Sequence, residues 1–382
     1  MKKCIAEAAQ TVLFVGAFPP AGRKVFGGNV TDCKLLLNSS FSKQTKLILL
    51  DSTQISNPAP SFPIRLIFAI KRFILYLIKI ERHRPDAVLL FMSSGISVFE
   101  KGIMAWYAFL RGTPALLFPR GGALIDQCNA SFFTRLWVRM VLKGGNKILC
   151  QGLTWHKFAV NLMKFSPEHA PIINSWAATP AFLAVGRQRS FERNSKPVRL
   201  LFVGRLEKKK GIFELLNSYR HLSKSRAVEL IIVGEGNASE SARRIVSKYG
   251  LDDRVNFCGW LVGSELERVY AEADIFVLPS WAEGLPNVMI EAMAAKLAVV
   301  ISEVGNIPDV VKDGKEALLV SPRNKTALQL ALTKVIDNAK LRRHMGEAAF
   351  SLAEELWGVE KAIDALLLAI RLSVKQKNNN IA

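Results

Sequence analysis

Short apolar runs alternating with helical patterns leave this chain few architectures. Thr11–Gly16, Lys46–Leu50, Asp86–Phe91, Ala115–Pro119 and Lys147–Gln151 each read as a buried strand, with helical patterns between several of them. The alternation resumes over 198–204, 229–234, 255–258, 274–279 and 298–302, and everything from about residue 325 onward reads as helical. Such alternation is the mark of a doubly wound parallel sheet. Two runs of it predict two α/β domains, and 382 residues, 50% of them apolar, are enough for two cores of ordinary size. Residues 1–175 are expected as the first domain and 198–355 as the second, with 176–197, holding several Arg, Ser and Pro residues, as the linker. Residues 356–382 hold a last helix, Val359 to Val374 after Trp357, and then a frayed tail from Lys375.

Charge is distributed unevenly over these parts. Residues 1–190 hold 24 Lys/Arg against 8 Asp/Glu, net +16, while residues 191–382 hold 28 against 24, net +4. An anionic partner for the first half follows: a phosphorylated acceptor, an anionic lipid or nucleic acid, set against a merely solubilising surface. The five cysteines are scattered without a Cys-x-x-Cys pair, so neither a disulfide framework nor a zinc site follows, which suits a reducing compartment. Met1-Lys-Lys resembles the start of a signal peptide, but Glu7 and Gln10 interrupt any apolar segment after it. No uninterrupted apolar run reaches the roughly 18 residues of a membrane span. His83, His156, His169, His221 and His344 stand isolated, and neither a His-Glu-x-x-His pattern nor a Walker phosphate loop occurs.

The chemistry concentrates in Glu283-Gly-Leu-Pro-Asn-Val-Met-Ile-Glu291, after the apolar run Asp274–Pro279 and before a helix of small residues. A strand that turns through Gly284 and Pro286 into a helix leaves first-turn N–H groups for a phosphate-bearing ligand. Glu283 and Glu291 are eight residues apart and reach two ends of one extended ligand rather than one atom. Gly204-Arg205-Leu206, then Lys208-Lys209-Lys210-Gly211, likewise follows an apolar strand and opens a helix. A Pro/Gly-rich loop, Pro19 to Gly28, precedes another helix opening at Gly27-Gly28.

Together, Gly-Arg-Leu…Lys-Gly and the Glu, seven residues, Glu pattern resemble the donor-binding half of the family 4 retaining glycosyltransferases. The resemblance is clear over 198–322 and fainter over 11–175. It implies the GT-B fold, two Rossmann-like domains facing a deep cleft, with Ile172–Ser175 closing the first and the last helix crossing back to it. It also implies transfer of a sugar from a nucleotide-diphosphate donor, UDP most of all, to a glycan or lipid-linked acceptor in cell-surface polysaccharide synthesis. No cofactor or metal is implied; the nucleotide sugar is a co-substrate.

Without a metal, fixed cations and backbone donors must meet the charge that grows on the departing diphosphate. Arg205 and Lys210 suit that need, a forked guanidinium and a mobile ammonium at a helix start. The resemblance places Glu283 at the donor sugar and Glu291 on the ribose diol. It places Gly204, Gly284, Leu285, Pro286, Asn287 and Val288 around the donor, Gly27 and Gly28 beside its phosphates, and Gly259 and Trp260 at the base. Retention then comes from front-face attack, since no nucleophile pair of the glycosidase kind stands out. Lys296 and Ala298 depart from the usual Gly and Pro, Asp309 from a usual Glu, and Glu316-Ala317 from a usual Gly. Many members of that family have a histidine where this chain has Arg120, in Phe118-Pro-Arg-Gly-Gly122. Arg120 is expected to bind an acceptor or another anion, or else to pair with a core carboxylate.

The helix expected from about Pro63 to Arg84 is almost wholly apolar, with a narrow stripe of Arg65, Lys71, Arg72 and Lys79. Such a helix belongs in a core or in a membrane interface. Phe132–Lys143 repeats its character. The favoured reading is a peripheral enzyme on the inner face of the cytoplasmic membrane, without nucleic acid. Two rivals stand beside it: a GT-B nucleotide-sugar epimerase, which needs acid/base groups in the cleft, and a non-enzymatic basic module, which leaves the two motifs unexplained.

Overall fold

The computed structural model describes residues 9–20, 27–53, 61–93, 95–121, 123–191 and 197–379. The chain divides into two compact units, Met1–Trp176 with Glu360–Ala382, and Ala177–Val359. In the first, β1 (Gln10–Gly16) leads through α1 (Gly28–Leu37) and α2 (Ser40–Gln44) to β2 (Thr45–Asp51). Then come α3 (Phe62–His83), β3 (Ala87–Met92), α4 (Ile96–Leu110) and β4 (Ala115–Pro119). The segments α5 (Ala123–Ala130), α6 (Phe132–Leu142), β5 (Lys147–Ile148) and α7 (Leu153–Lys157) follow. All strands are parallel, in the order β2-β1-β3-β4-β5. β3 and β4 contain no polar residue and are buried along their whole length, as strands covered on both faces must be. β5 is an edge strand and shorter than the 147–151 run predicts; past Ile148, Cys150 bridges to Ile172 instead.

Right-handed crossovers through this strand order put α3, α4 and α6 on one face of the sheet and α1 on the other. On α3 only Tyr76 and Ile80 are buried, so the core reading of this helix fails. Phe73 and Leu77 pack beside them on the core, and most of its other apolar residues face outward.

The second unit opens with α8 (Pro180–Gln188), β6 (Val198–Val203) and α9 (Ile212–Leu222). The chain continues through β7 (Val228–Val233), α10 (Ser239–Lys248), β8 (Val255–Gly259), α11 (Ser264–Glu272) and β9 (Ile275–Leu278). Beyond lie α12 (Asn287–Ala294), β10 (Ala298–Ser302), α13 (Ile307–Val310) and β11 (Leu318–Val320). Then α14 (Lys325–Ile336) and α15 (Ala339–Leu356) complete the unit, and α16 (Val359–Asn379) ends the described chain. The six parallel strands run β11-β10-β9-β6-β7-β8. Strand order therefore reverses between β6 and β9, and in open α/β sheets ligands bind at the carboxyl ends beside such a switch point.

Two expectations need correction here. The stretch 176–197 is not an open linker. Thr179 caps α8 with Pro180 in its first turn, and Phe182 and Leu183 are buried in the second unit's core. Arg189 then donates to the carbonyls of Tyr270, Ala273 and Ala295 at 2.6, 2.7 and 2.7 Å, tying the helix to α11 and α12. At the other end, the helix that begins at Val359 continues through Lys375 to Asn379 rather than fraying. Residues 192–196 and 380–382 lie outside the described ones.

Candidate active site

The loops after β6 and β9 meet at the switch point. After Val203 the chain passes Gly204 and Arg205, makes a single 3-10 turn at Lys208–Lys210, and enters α9 through Gly211. Gly211 has φ +74°, and a Cβ there would lie 2.0 Å from the carbonyl oxygen of Pro279. Only glycine admits that approach. The Trp281 N–H donates to the Lys209 carbonyl at 2.8 Å. Held this way, Lys210 Nζ donates to Glu283 Oε1 at 2.6 Å, with the two side chains 23% and 10% exposed. Arg205, earlier in the same β6 loop, is a third exposed, with a long 3.5 Å contact to Glu207. Burial would raise the Glu207 carboxyl, but the Lys209 hydrogen bond and charge, with Arg205, outweigh it and hold it below the usual carboxylate range.

A third loop, after β10, supports the turn from the other side. Gly305 has φ +59°, with its Cβ position 2.1 Å from the Glu283 carbonyl oxygen, and the Asn306 N–H donates to the Gly284 carbonyl at 3.0 Å. Gly305 and Asn306 are absent from the sequence-based site; a Gly just past a strand was the available signal. Around them, Ser280 Oγ, Ser302 Oγ and Asn306 Nδ2 are buried without a hydrogen-bond partner among the described residues.

Pro286 takes the N-cap position of α12, and no side-chain oxygen caps the turn that follows. Asn287 and Val288 open the helix, and Leu285 packs against the core beside it. Glu291 sits one helical turn further in, buried, with the Tyr270 hydroxyl donating to its Oε2 at 2.9 Å and 3.2 Å from the Val288 carbonyl. Burial first, and then the Glu291 charge, raise the Tyr270 phenol well above its usual range, so it stays a donor. Gly259 ends β8, its carbonyl accepting from Gly234 N–H at 2.7 Å, and Trp260 follows it half-buried. Gly204 N–H donates in the same way to Val233, at 3.0 Å.

Gly27, Gly28 and Arg120 belong to the first unit. Gly27 is the N-cap of α1, its carbonyl accepting from Val30 and Thr31, and Gly28 is the first helical residue. Gly122 and residues 21–26 of the loop before α1 are outside the described residues. For Arg120 the structure shows the core pairing. Its guanidinium is 3% exposed, pairs with the equally buried Asp32, and packs 4.8 Å from the Trp176 ring and 5.0 Å from the Phe118 ring. Aromatic walls and a paired carboxylate stabilise such a buried cation.

With that geometry in hand, likeness to known proteins is informative. Residues 187–351 match the family model Glycosyl transferases group 1. The amylovoran biosynthesis glycosyltransferase AmsK of Erwinia amylovora is 32% identical over 147 residues, 37% of this chain and 36% of that protein. This chain spans about half the length, or less, of the curated relatives it matches. The sucrose-phosphate synthase of Thermosynechococcus elongatus superposes with a TM-score of 0.73 at 18% identity, covering 95% of this chain and 98% of that one. Anabaena Alr3699/HepE, solved in complex with UDP-glucose, gives 0.68 at 14% identity, covering 95% and 99%. The fold is GT-B, and within it residues 187–351 are similar to the glycosyl transferases group 1.

Proposed function

We propose that the chain is a retaining, metal-independent hexosyltransferase. It takes a sugar from a nucleotide-diphosphate donor, a UDP-sugar above all, and places it on a glycan or lipid-linked acceptor in lipopolysaccharide, O-antigen or capsule synthesis. The observation that carries this reading is the Lys210–Glu283 pair at the switch point, 2.6 Å apart, with Lys210 on the same β6 loop as Arg205. In the reaction the bond from the anomeric carbon to the phosphate oxygen breaks and the acceptor oxygen bonds to that carbon on the same face. The acceptor proton passes to the departing diphosphate. Positive charge grows on the sugar, where Glu283 faces it, and negative charge on the diphosphate, which Arg205, Lys210 and the first-turn amides of α12 receive. Glu291 takes the ribose and the Gly259–Trp260 loop the base. The Erwinia relative acts in amylovoran biosynthesis and the Anabaena protein holds UDP-glucose, which supports the donor and pathway class.

We place the enzyme peripherally on the inner face of the cytoplasmic membrane, from the net +16 of residues 1–190 and the outward apolar α3. Thermal-shift measurement against a panel of nucleotide sugars, followed by transfer assays with the stabilising one, tests the activity. A donor raises the melting temperature by mass action. No shift with any nucleotide sugar, together with no transfer, would overturn it.

A further inference from the structure

Three neighbouring helices of the first unit expose apolar side chains on one side. Ile67 and Ile70 of α3 are 64% and 52% exposed, Phe109 and Leu110 of α4 are 61% and 75%, and Phe132 and Phe133 of α6 are 66% and 81%. The helices are fastened to each other. Arg72 of α3 pairs with Glu100 of α4, and the Tyr76 hydroxyl donates to the Met104 carbonyl at 2.8 Å. Phe99 of α4 stacks on Trp137 of α6 with ring centres 5.6 Å apart, and Trp106 Nε1 donates to the Met140 carbonyl at 3.2 Å. The result is one firm, continuous apolar face, and a monomer in water rarely keeps such a face uncovered.

Its charge says what covers it. No Asp or Glu occurs over 62–80 or 132–143, whereas Arg65, Lys71, Arg135, Arg139 and Lys143 do occur there. The one carboxylate of α4, Glu100, is buried and neutralised by Arg72 and Lys101. Glu81, at the end of α3, is engaged by Arg111 at 2.7 Å and by the Tyr107 hydroxyl at 2.6 Å. A basic, apolar, carboxylate-poor face repels a second copy of itself and complements an anionic surface. Among the described residues no helix is long and apolar enough to cross a membrane, so the helices lie along one. Trp106 and Trp137 are partly exposed on the face, and such rings favour the headgroup layer. A cavity of about 470 Å³, walled by Val98, Phe99, Leu124, Trp137 and Val138, adds an apolar recess among α4, α5 and α6.

We propose that α3, α4 and α6 together seat the first unit in the headgroup region of an anionic phospholipid bilayer. This deepens the peripheral location within the proposed function and rests on it. Its readout needs no sugar transfer, so either can fail alone. Arg72 is taken up by Glu100 and Lys79 is half-buried, so Arg65 and Lys71 are the exposed cations within the apolar stretch 62–80 of α3.

The full chain is sedimented with phosphatidylglycerol-containing vesicles and with phosphatidylcholine vesicles, at low and high salt. The expected result is binding to the anionic vesicles that weakens with salt. Ile67→Glu combined with Phe133→Glu, and separately Arg65→Gln combined with Lys71→Gln, should each weaken binding by about tenfold or more. Melting temperatures should hold, because these side chains are exposed. Absence of wild-type binding at low salt overturns the proposal, as does unchanged binding by both folded variants. A dimer in ultracentrifugation that Ile67→Glu with Phe133→Glu dissolves also overturns it, in favour of a second copy.

Discussion

Lys210 Nζ lies 2.6 Å from Glu283 Oε1 although the residues are 73 apart in sequence. The contact exists because the β6 and β9 loops are clamped from below, Gly211 against Pro279 and Trp281 N–H on the Lys209 carbonyl. In the proposed reaction a diphosphate would draw Lys210 away and leave Glu283 facing the sugar. In isolation the same pair is a partly buried salt bridge, whose Coulombic attraction is largely offset by the desolvation of both charges.

Replacing either cation therefore should impair turnover rather than folding. Arg205→Ala and Lys210→Ala are each expected to lower kcat by roughly 100-fold, the scale of losing one preorganised charge-stabilising contact. Melting temperatures should change little. Near-normal turnover in both variants would remove the diphosphate role from these residues.

Glu283 and Glu291 should separate kinetically. Glu283→Ala is expected to depress kcat, whereas Glu291→Ala raises KM for the donor. Glu291 is also buried against Tyr270, so its alanine variant should lose about 1–3 kcal/mol of stability, part of which Glu291→Gln restores by accepting the Tyr270 hydrogen bond. Equal shifts of kcat and KM in both alanine variants would sink this division of roles.

The close approach at Gly211 can be isolated from its backbone conformation. Gly250 has φ +63° with nothing within 4 Å of its Cβ position, whereas Gly211 has φ +74° and a backbone oxygen at 2.0 Å. Gly250→Ala should cost only the left-handed term, about 1–2 kcal/mol. Gly211→Ala should cost clearly more in urea unfolding and should impair transfer. Similar losses at the two positions would show that the Pro279 contact is not what demands glycine.

The α3–α4 junction carries a signed pH dependence. Burial alone would raise the Glu100 carboxyl, but the charges of Lys101 and Arg72 outweigh it and hold it below its usual range. A group depressed in the folded state stabilises above its unfolded pKa, and that stability is lost as pH falls through the folded value. The acid limb of an unfolding profile should therefore flatten in Glu100→Gln. A profile identical to wild type would mean that the pair contributes nothing to acid sensitivity.

The sequence by itself determined what is local. All-apolar runs such as Ala87–Met92 and Ile275–Leu278 specify buried parallel strands, and a strand followed by Gly-Arg-Leu or by Glu-Gly-Leu-Pro specifies a loop entering a helix. Those patterns depend on neighbours along the chain, and together with the family resemblance they picked out Lys210, Glu283 and Glu291 as candidates. The tertiary structure decided what depends on neighbours in space. Whether Arg120 meets an acceptor or a core carboxylate turns on Asp32, which is 88 residues away on α1. Residues 176–197 look like a linker because their few apolar residues matter only once Phe182 and Leu183 find the second core. The same holds for α3, since an apolar helix with a basic stripe has one composition for a core and for a bilayer. Only the packing of the stripe Phe73, Tyr76, Leu77 and Ile80 against the first core turned most of its other apolar side chains outward.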